Sequence, residues 1–269
     1  MPALTVAATP DLRYYASAGK GFETPTFNEI SYRPAGSSAT GLNFDLKPSR
    51  SNNVEAGVKW RTPTGSSTRM EVNAAVFQTN TRDEIVTQTN VGGRASFQNA
   101  GATRRQGFEL ASSLSLPQNW LAQASYTWLD ARYQESFSSC AVAACPTPNP
   151  PIVIAAGNRI PGIARSSLAL EAGWRPAQGL RGGVEARYLS SVQVNDANSD
   201  AAGSYFTTAA HVGYVLVAGK WRFATTARVD NLLDKKYAGS VIVNEGNRRF
   251  FEPAAGRTWL LSATGSYAF

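Results

Sequence analysis

A segment whose residues alternate apolar and polar at every second position fits a strand with different surroundings on its two faces, and this alternation recurs along most of the chain. In RSNNVEAGVKW, Val54, Ala56, Val58 and Trp60 share one face, and Asn53, Glu55, Gly57 and Lys59 share the other. The next segment sets Met70, Val72, Ala74 and Val76 against Arg69, Glu71, Asn73 and Ala75. Phe108, Leu110 and Leu114 oppose Gly107, Glu109 and Ser113, while Leu168, Leu170, Ala172 and Trp174 oppose Ser167, Ala169, Glu171 and Arg175. Later, Trp221, Phe223, Ala227 and Val229 oppose Arg222, Thr226 and Arg228, and the last segment gathers Trp259, Leu261, Ala263, Tyr267 and Phe269 on its apolar side. About ten such strands are expected, near residues 11–20, 50–61, 67–80, 103–116, 119–132, 163–175, 180–193, 204–216, 220–230 and 257–269. The fold class is therefore all-β.

The connections alternate in length. Short turns fall at Pro63 to Ser66, Pro117 to Asn119, Pro176 to Gly179 and Val217 to Gly219, and long polar loops fill roughly 21–49, 81–102, 133–162, 194–203 and 231–256. This is the asymmetry of antiparallel transmembrane β-barrels of the outer-membrane type, with short turns on the periplasmic side and long loops outside. Tryptophan placement agrees, because indoles collect at the two membrane interfaces on the lipid-facing side. Trp60, Trp120, Trp174 and Trp221 lie beside short turns with the parity of the apolar face, and Trp128 and Trp259 lie near the long-loop ends. The opposite face carries Glu55, Lys59, Arg69, Glu71, Glu109, Glu171, Arg187, Arg222 and Arg228. That many charges would be costly in a dry core, so a wide barrel with a wet or plugged interior fits better than a sandwich.

Composition removes other classes. Mean hydropathy is −0.24, and no apolar run reaches the roughly 18 residues that a helix needs to cross a bilayer. The net charge of +7 invites a nucleic-acid reading, but the 26 basic residues are interspersed with 19 acidic ones, without a basic run or a recognisable nucleic-acid-binding motif. Residues 1–10 lack the pattern of a secretory signal, so no export address is expected in the sequence as it stands. The two cysteines, Cys140 and Cys145, sit in the loop segment SSCAVAACPTPNPP. A disulfide between them fits an oxidising compartment, two free thiols are the alternative, and a zinc site would need ligands that the chain hardly offers.

Several segments then resemble TonB-dependent outer-membrane receptors, over essentially the whole chain. Gly21, Phe22, Pro25, Thr26 and Glu29 match a Gly-Phe-x-x-Pro-Thr-x-x-Glu pattern of that family, and LKPSRSNNVEAGVKW is similar to the strand opening that follows it, with Ser49 in place of the usual glutamate. Asn99, Gly101, Gly107 and Glu109 of FQNAGATRRQGFEL, Pro161 of GNRIPGIAR, and Asn231, Leu233, Asp234 and Tyr237 of VDNLLDKKYAGS add to the match. PAAGRTWLLSATGSYAF, with Gly256, Arg257 and Phe269, resembles the family's closing strand. GRASFQNAGATRRQGFEL and GSVIVNEGNRRFFEP are similar to the branch containing pyrroloquinoline quinone and iron-dicitrate-like receptors.

The resemblance implies that residues 1–269 form the C-terminal portion of a barrel of about 22 strands, with plug and TonB box absent and residues 2–8 as the tail of a preceding strand. It implies TonB-energised uptake of a scarce nutrient, such as an iron-siderophore chelate or pyrroloquinoline quinone, across the outer membrane of a Gram-negative bacterium. Implied partners are outer-membrane lipid, lipopolysaccharide, the TonB complex through a plug, and an anionic small molecule or metal chelate; no protein-held cofactor, metal or catalytic residue is expected. Arginine suits bidentate capture of carboxylates, so Arg94, Arg159, Arg248 and Arg249 are the candidate ligand contacts, with Phe250, Phe251 and Tyr32 as aromatic neighbours. A passive porin and a small closed-barrel enzyme are the alternatives. For the enzyme, His211 is the only histidine, on the polar face of its strand and away from the long loops. An open sheet of about ten strands leaves two unpaired edges, so the segment is not expected to transport alone.

Overall fold

Alternating side chains commit each segment to a two-faced strand, and pairing between neighbours supplies the hydrogen bonds that a strand cannot make within itself. The computed structural model describes residues 2–33, 41–91, 93–139 and 152–269. In chain order its first elements are β1 (Ala3–Thr9), β2 (Leu12–Glu23), the one-turn helix α1 (Phe27–Ile30), β3 (Ser49–Arg61), β4 (Arg69–Arg82), β5 (Ile85–Val91), β6 (Arg94–Asn99) and β7 (Thr103–Ser115). There follow β8 (Trp120–Tyr133), β9 (Phe137–Ser139), β10 (Ile152–Ile154), β11 (Ser166–Trp174), β12 (Gly179–Leu189), β13 (Val192–Gln193) and β14 (Ala201–Ala202). The last are β15 (Tyr205–Ala218), β16 (Trp221–Asp230), β17 (Ala238–Val241), β18 (Phe251–Pro253) and β19 (Thr258–Tyr267).

One antiparallel sheet of eleven strands, in the order β1-β2-β3-β4-β7-β8-β11-β12-β15-β16-β19, forms the body. Each sheet strand pairs with its successor in sequence among the long strands, so the sheet is a pure up-and-down meander. The eleventh strand is β1: residues 2–8, read from sequence as the tail of a preceding strand, pair with β2 from Ala3↔Ser17 to Thr9↔Leu12. The other eight strands form four two-stranded ribbons, β5-β6, β9-β10, β13-β14 and β17-β18, all within the long loops. These were not foreseen, because ribbons a few residues long carry too few alternations to be distinguished from loop.

Register sorts the residues into the two anticipated faces. One cross-strand row runs Val58, Ala74, Leu110, Tyr126, Leu168, Tyr188, Phe206, and is apolar throughout. A row of opposite parity runs Glu71, Ser113, Gln123, Glu171, Glu185, and is polar throughout. The apolar side is not packed against protein: Val76 is 59% exposed and Leu261 81%. The tightest apolar cluster, Ala100, Ala131, Tyr133, Ile154 and Ile160, instead lies where the loops fold over strand ends. A wall greasy outside and charged inside, with its packed cluster at one rim, is arranged for hydrocarbon on one side and water or a polar body on the other.

The indoles keep to the apolar face. Trp120 and Trp174 are direct cross-strand partners at the short-turn end, and the Trp174 Nε1–H donates to the Gln118 carbonyl at 2.8 Å. Trp221 stacks on Phe223 at 5.7 Å and meets Tyr267 edge-on at 5.0 Å. On the charged side, the Tyr15 ring lies across its partner Gly57, where a Cβ would fall 2.5 Å from the ring, and its hydroxyl donates to Glu55 at 2.6 Å. Glycine at position 57 thus makes room for an inward aromatic. Arg228 pairs with both Glu185 and Asp230, and Arg175 with Glu171, so much of the inner charge is compensated within the wall. Among the described residues, β1 and β19 each have one sheet neighbour, and every residue of both strands is exposed. Cys140 and Cys145 lie outside the described residues.

Adjacent residues Leu110 and Ala111 provide the test of this two-sidedness. In urea unfolding from phospholipid vesicles, Leu110→Arg is expected to cost about 2–4 kcal/mol, since it places a cation in hydrocarbon, whereas Ala111→Arg on the wet face costs under about 1 kcal/mol.

Candidate functional site

All five long connections leave the same end of the sheet, and they are joined there rather than splayed. Asn99 ties two of them: its amide donates to the carbonyls of Lys47 and Asp83 at 2.9 and 2.8 Å, and its carbonyl accepts from the Lys47 N–H. Arg105 and Thr103 hold Glu84 at the strand ends below, the guanidinium at 2.7 Å and the hydroxyl at 3.0 Å.

The centre of the assembly is Asp196, only 2% exposed. The Tyr133 hydroxyl donates to one carboxylate oxygen at 2.6 Å and the Asn244 amide to the other at 2.9 Å. Asn244 also donates to the Thr87 carbonyl at 2.6 Å and accepts from the Asp196 N–H at 3.1 Å. A single asparagine therefore links the loops around residues 87, 196 and 244 to the end of β8. Asn198, in a left-handed turn with φ of 54°, reaches the backbone of Arg159 from both ends of its amide. Burial raises the Asp196 pKa above its ordinary value, although the hydrogen bonds from Tyr133 and Asn244 work in the opposite direction.

Above this floor opens a cavity of about 460 Å³. Asp196, Asp200, Asn244, Glu245, Arg248 and Phe250 line it, with Ser139, Ile152 and Ile154 on the side of β9 and β10. Phe250 is buried at 7% exposure and meets Phe251 edge-on at 6.2 Å. Arg248 is exposed and holds a left-handed backbone, φ 63°, that turns it toward the opening. Of the candidates read from sequence, Arg248 and Phe250 thus come together here. Arg94 stacks on Tyr32 at 5.6 Å, a separate cation–π pair between two other loops. Arg249 is exposed on the same loop as Arg248, its N–H bound to the Asn247 side chain at 2.8 Å.

Arg159 lies elsewhere: it bridges to Arg132 at the end of β8, and burial together with Arg165 and Arg132 pulls its pKa below the usual guanidinium value. His211 faces inward in the wall between Gly183 and Arg228, remote from the cavity. Asp196, Asn244 and Tyr133 were not picked out from sequence. The polar run Asn195, Asp196, Asn198, Ser199, Asp200 was the available signal, together with a tyrosine of inward parity at the loop end of β8.

The motifs behind the resemblance act as fasteners. Thr26 and Glu29 form a capping box on α1, with the Thr26 N–H bound to the Glu29 carboxylate at 2.6 Å. Asn231 takes φ of 49°, and its side chain closes on Lys235 N–H and O and on the Ala255 carbonyl. Asp234 caps the Arg257 N–H at 3.0 Å, which holds its carboxyl below the usual range.

A family model described as TonB dependent receptor-like, beta-barrel matches residues 3–232. The chain belongs to this family. Among curated relatives, it is 25% identical over 228 residues to a probable TonB-dependent siderophore receptor, PiuA, of Acinetobacter baumannii, covering 84% of this chain and 28% of the relative. It is 28% identical over 200 residues to the ferrioxamine B receptor of Salmonella typhimurium, covering 72% of this chain and 26% of the relative. The ferric-catecholate import receptor Fiu of Escherichia coli superposes with a TM-score of 0.70 at 21% identity, covering 99% of this chain and 34% of Fiu. The chain spans about a quarter to a third of the length of these relatives.

The Asp196 cluster is testable by protease cleavage of the loops at 190–204 and 231–257. Asp196→Ala strands the Tyr133 hydroxyl and the Asn244 amide, at about 1–3 kcal/mol, and is expected to speed cleavage roughly tenfold or more. A raised aspartate pKa gives stability that is full below the ordinary carboxyl range and declines as pH rises through the shifted value. Cleavage of the native chain should therefore accelerate with pH over that interval, and that of Asp196→Asn should not.

Proposed function

We propose that this chain forms barrel wall and ligand-binding loops of a TonB-energised outer-membrane receptor that takes up an iron-siderophore chelate. The observation that carries the reading is the cavity at the long-loop end, with Arg248 and Phe250 above the Tyr133–Asp196–Asn244 floor. A floor fixed by buried hydrogen bonds holds the contact groups in place before the ligand arrives, which lowers the ordering cost of binding. Asp200 and Glu245 accompany Arg248 in the lining, so the cavity suits a polar chelate presenting both oxygen acceptors and N–H or O–H donors. Arg94 and Arg249 on neighbouring loops are the contacts for a carboxylate-bearing part of the ligand.

Membership in the family supports the energy source: TonB acts through a plug, and the charged inner wall from Glu55 to Arg228 is the surface against which such a plug fits. The relatives named as siderophore receptors support iron over pyrroloquinoline quinone as the first ligand class to test. The reading places the long loops outside the cell and the short turns in the periplasm, and it involves no catalysis; His211, the one histidine of the chain, lies in the wall and not in the cavity.

The test is uptake by a strain carrying the complete gene, intact, deleted or altered, on limiting ferric hydroxamates, ferric catecholates and, separately, pyrroloquinoline quinone. Deletion should abolish growth on one iron chelate, and Arg248→Ala with Phe250→Ala should lower uptake of that chelate roughly tenfold or more. Growth that is independent of the gene on every iron chelate refutes the siderophore reading, and gene-dependent growth on pyrroloquinoline quinone alone replaces the ligand class.

A further inference from the structure

The cavity at the loop end carries more negative charge than its own cation can balance. Three carboxylates, Asp196, Asp200 and Glu245, line it, against the single guanidinium of Arg248. Among the described residues none of the three carboxylates forms an ion pair. Asp200, which is exposed, accepts from the adjacent Ala201 N–H at 2.7 Å. Asp196 is buried, and the two side chains that hold it, Tyr133 and Asn244, are neutral donors. No cation offsets the desolvation that raises its pKa.

Glu245 is the more telling of the buried pair. It is 8% exposed, yet its carboxylate accepts only from the Asn247 N–H at 3.5 Å, the outer limit of a hydrogen bond. The joining at this position is done by the backbone, which bridges to Asn90 and accepts from the Arg248 N–H at 3.0 Å. A carboxylate taken out of water destabilises a protein unless a cation or several hydrogen bonds compensate it. The Asp196 carboxylate fastens three loops in return for its burial. That of Glu245 fastens almost nothing and is left to the cavity.

The kind of cation follows from the spacing and the company of these groups. A calcium ion needs six or more oxygens at roughly 2.3–2.6 Å. Among the described residues, no three acidic, histidine or cysteine side chains stand close enough to hold a metal ion. A protonated amine on a flexible stem needs less convergence, since its three N–H groups can reach separate acceptors. Ile152, Ile154 and Phe250 belong to the same lining. They give a methylene stem an apolar surface, and an aromatic ring beside an ammonium is itself favourable.

We infer that the cavity selects a ferric chelate bearing a protonated alkylamine arm, whose ammonium is held by Glu245 and Asp200 with Asp196 behind them and whose stem lies against Ile152, Ile154 and Phe250. The inference rests on the uptake reading above and adds to it the charge of the ligand at this end. Arg94 and Arg249, on neighbouring loops, remain for an anionic part of the same chelate.

The experiment uses the complete receptor in detergent, titrated calorimetrically with ferric chelates built on a linear trihydroxamate core and on a tris-catecholate core. Each core carries a terminal primary amine, its N-acetylated form or its N-succinylated form, so that the arm alone changes from cationic to neutral to anionic. On the core that binds, the amine form should bind on the order of tenfold or more tightly than the N-acetylated form, and the succinylated form more weakly than either. Glu245→Gln combined with Asp200→Asn should shrink the preference for the amine to within about threefold. Glu135→Gln, at an exposed loop carboxylate outside the cavity, should retain it. Each variant must keep the native resistance of its loops to protease. If the double variant loses that resistance, Asp200→Asn alone replaces it, with the preference expected to fall several-fold. Equal affinity for the amine and N-acetylated forms, or a preference that survives these substitutions, overturns the inference and leaves the uptake reading standing. Affinity for none of the chelates overturns both. Binding of Ca²⁺ that is lost in Glu245→Gln reassigns the carboxylates to a metal ion and overturns the inference as well.

Discussion

Hydrocarbon offers no partner for a peptide N–H or C=O, and that constraint governs the rest of the structure. Each wall strand must take all its hydrogen bonds from the strands on either side, so register is fixed along its full length. Register in turn fixes which side chains face out. Once Leu110 stands beside Ala74 and Tyr126 on the lipid face, Glu109 and Ala111 have to point inward. The charged lining is therefore coupled to the greasy exterior, and both follow from one pattern of backbone pairing.

The same constraint explains why packing is concentrated at the rim. Within the wall there is no second layer against which to bury side chains. At the loop end, backbone leaves the sheet and needs new partners. Asn99, Asn198, Asn231 and Asn244 supply them, each amide joining segments distant in sequence. Asparagine suits this work because it both donates and accepts, and three of these four, Asn198, Asn231 and Asn244, sit in the left-handed region that it tolerates. The result is a loop assembly firm enough to carry a cavity.

The wall was legible in the sequence because its signal is local: two residues of spacing decide a face, and parity alone put Trp60, Trp120, Trp174 and Trp221 outside. Strand β1 was harder, since Ala3, Ala7 and Ala8 blur the alternation of Leu4 and Val6. The site was only partly legible. Arg248 and Phe250 are close in sequence and reach the cavity together, whereas Asp196 acquires its meaning from Tyr133 and Asn244, 63 and 48 positions away. Arg159 was read as a loop contact because it lies in a long connection, but that connection folds back against β8 and delivers it to the rim beside Arg132. Composition cannot reveal where a loop returns.

Eleven is an odd number, and in a meander direction reverses at every step, so β1 and β19 run the same way through the membrane. Laid edge to edge they would be parallel neighbours, and a ring of two identical sheets would meet the same mismatch at both seams. Closing the circle with antiparallel bonds throughout takes an odd complement of additional strands. The count of strands thus sets an arithmetic condition on whatever completes the barrel.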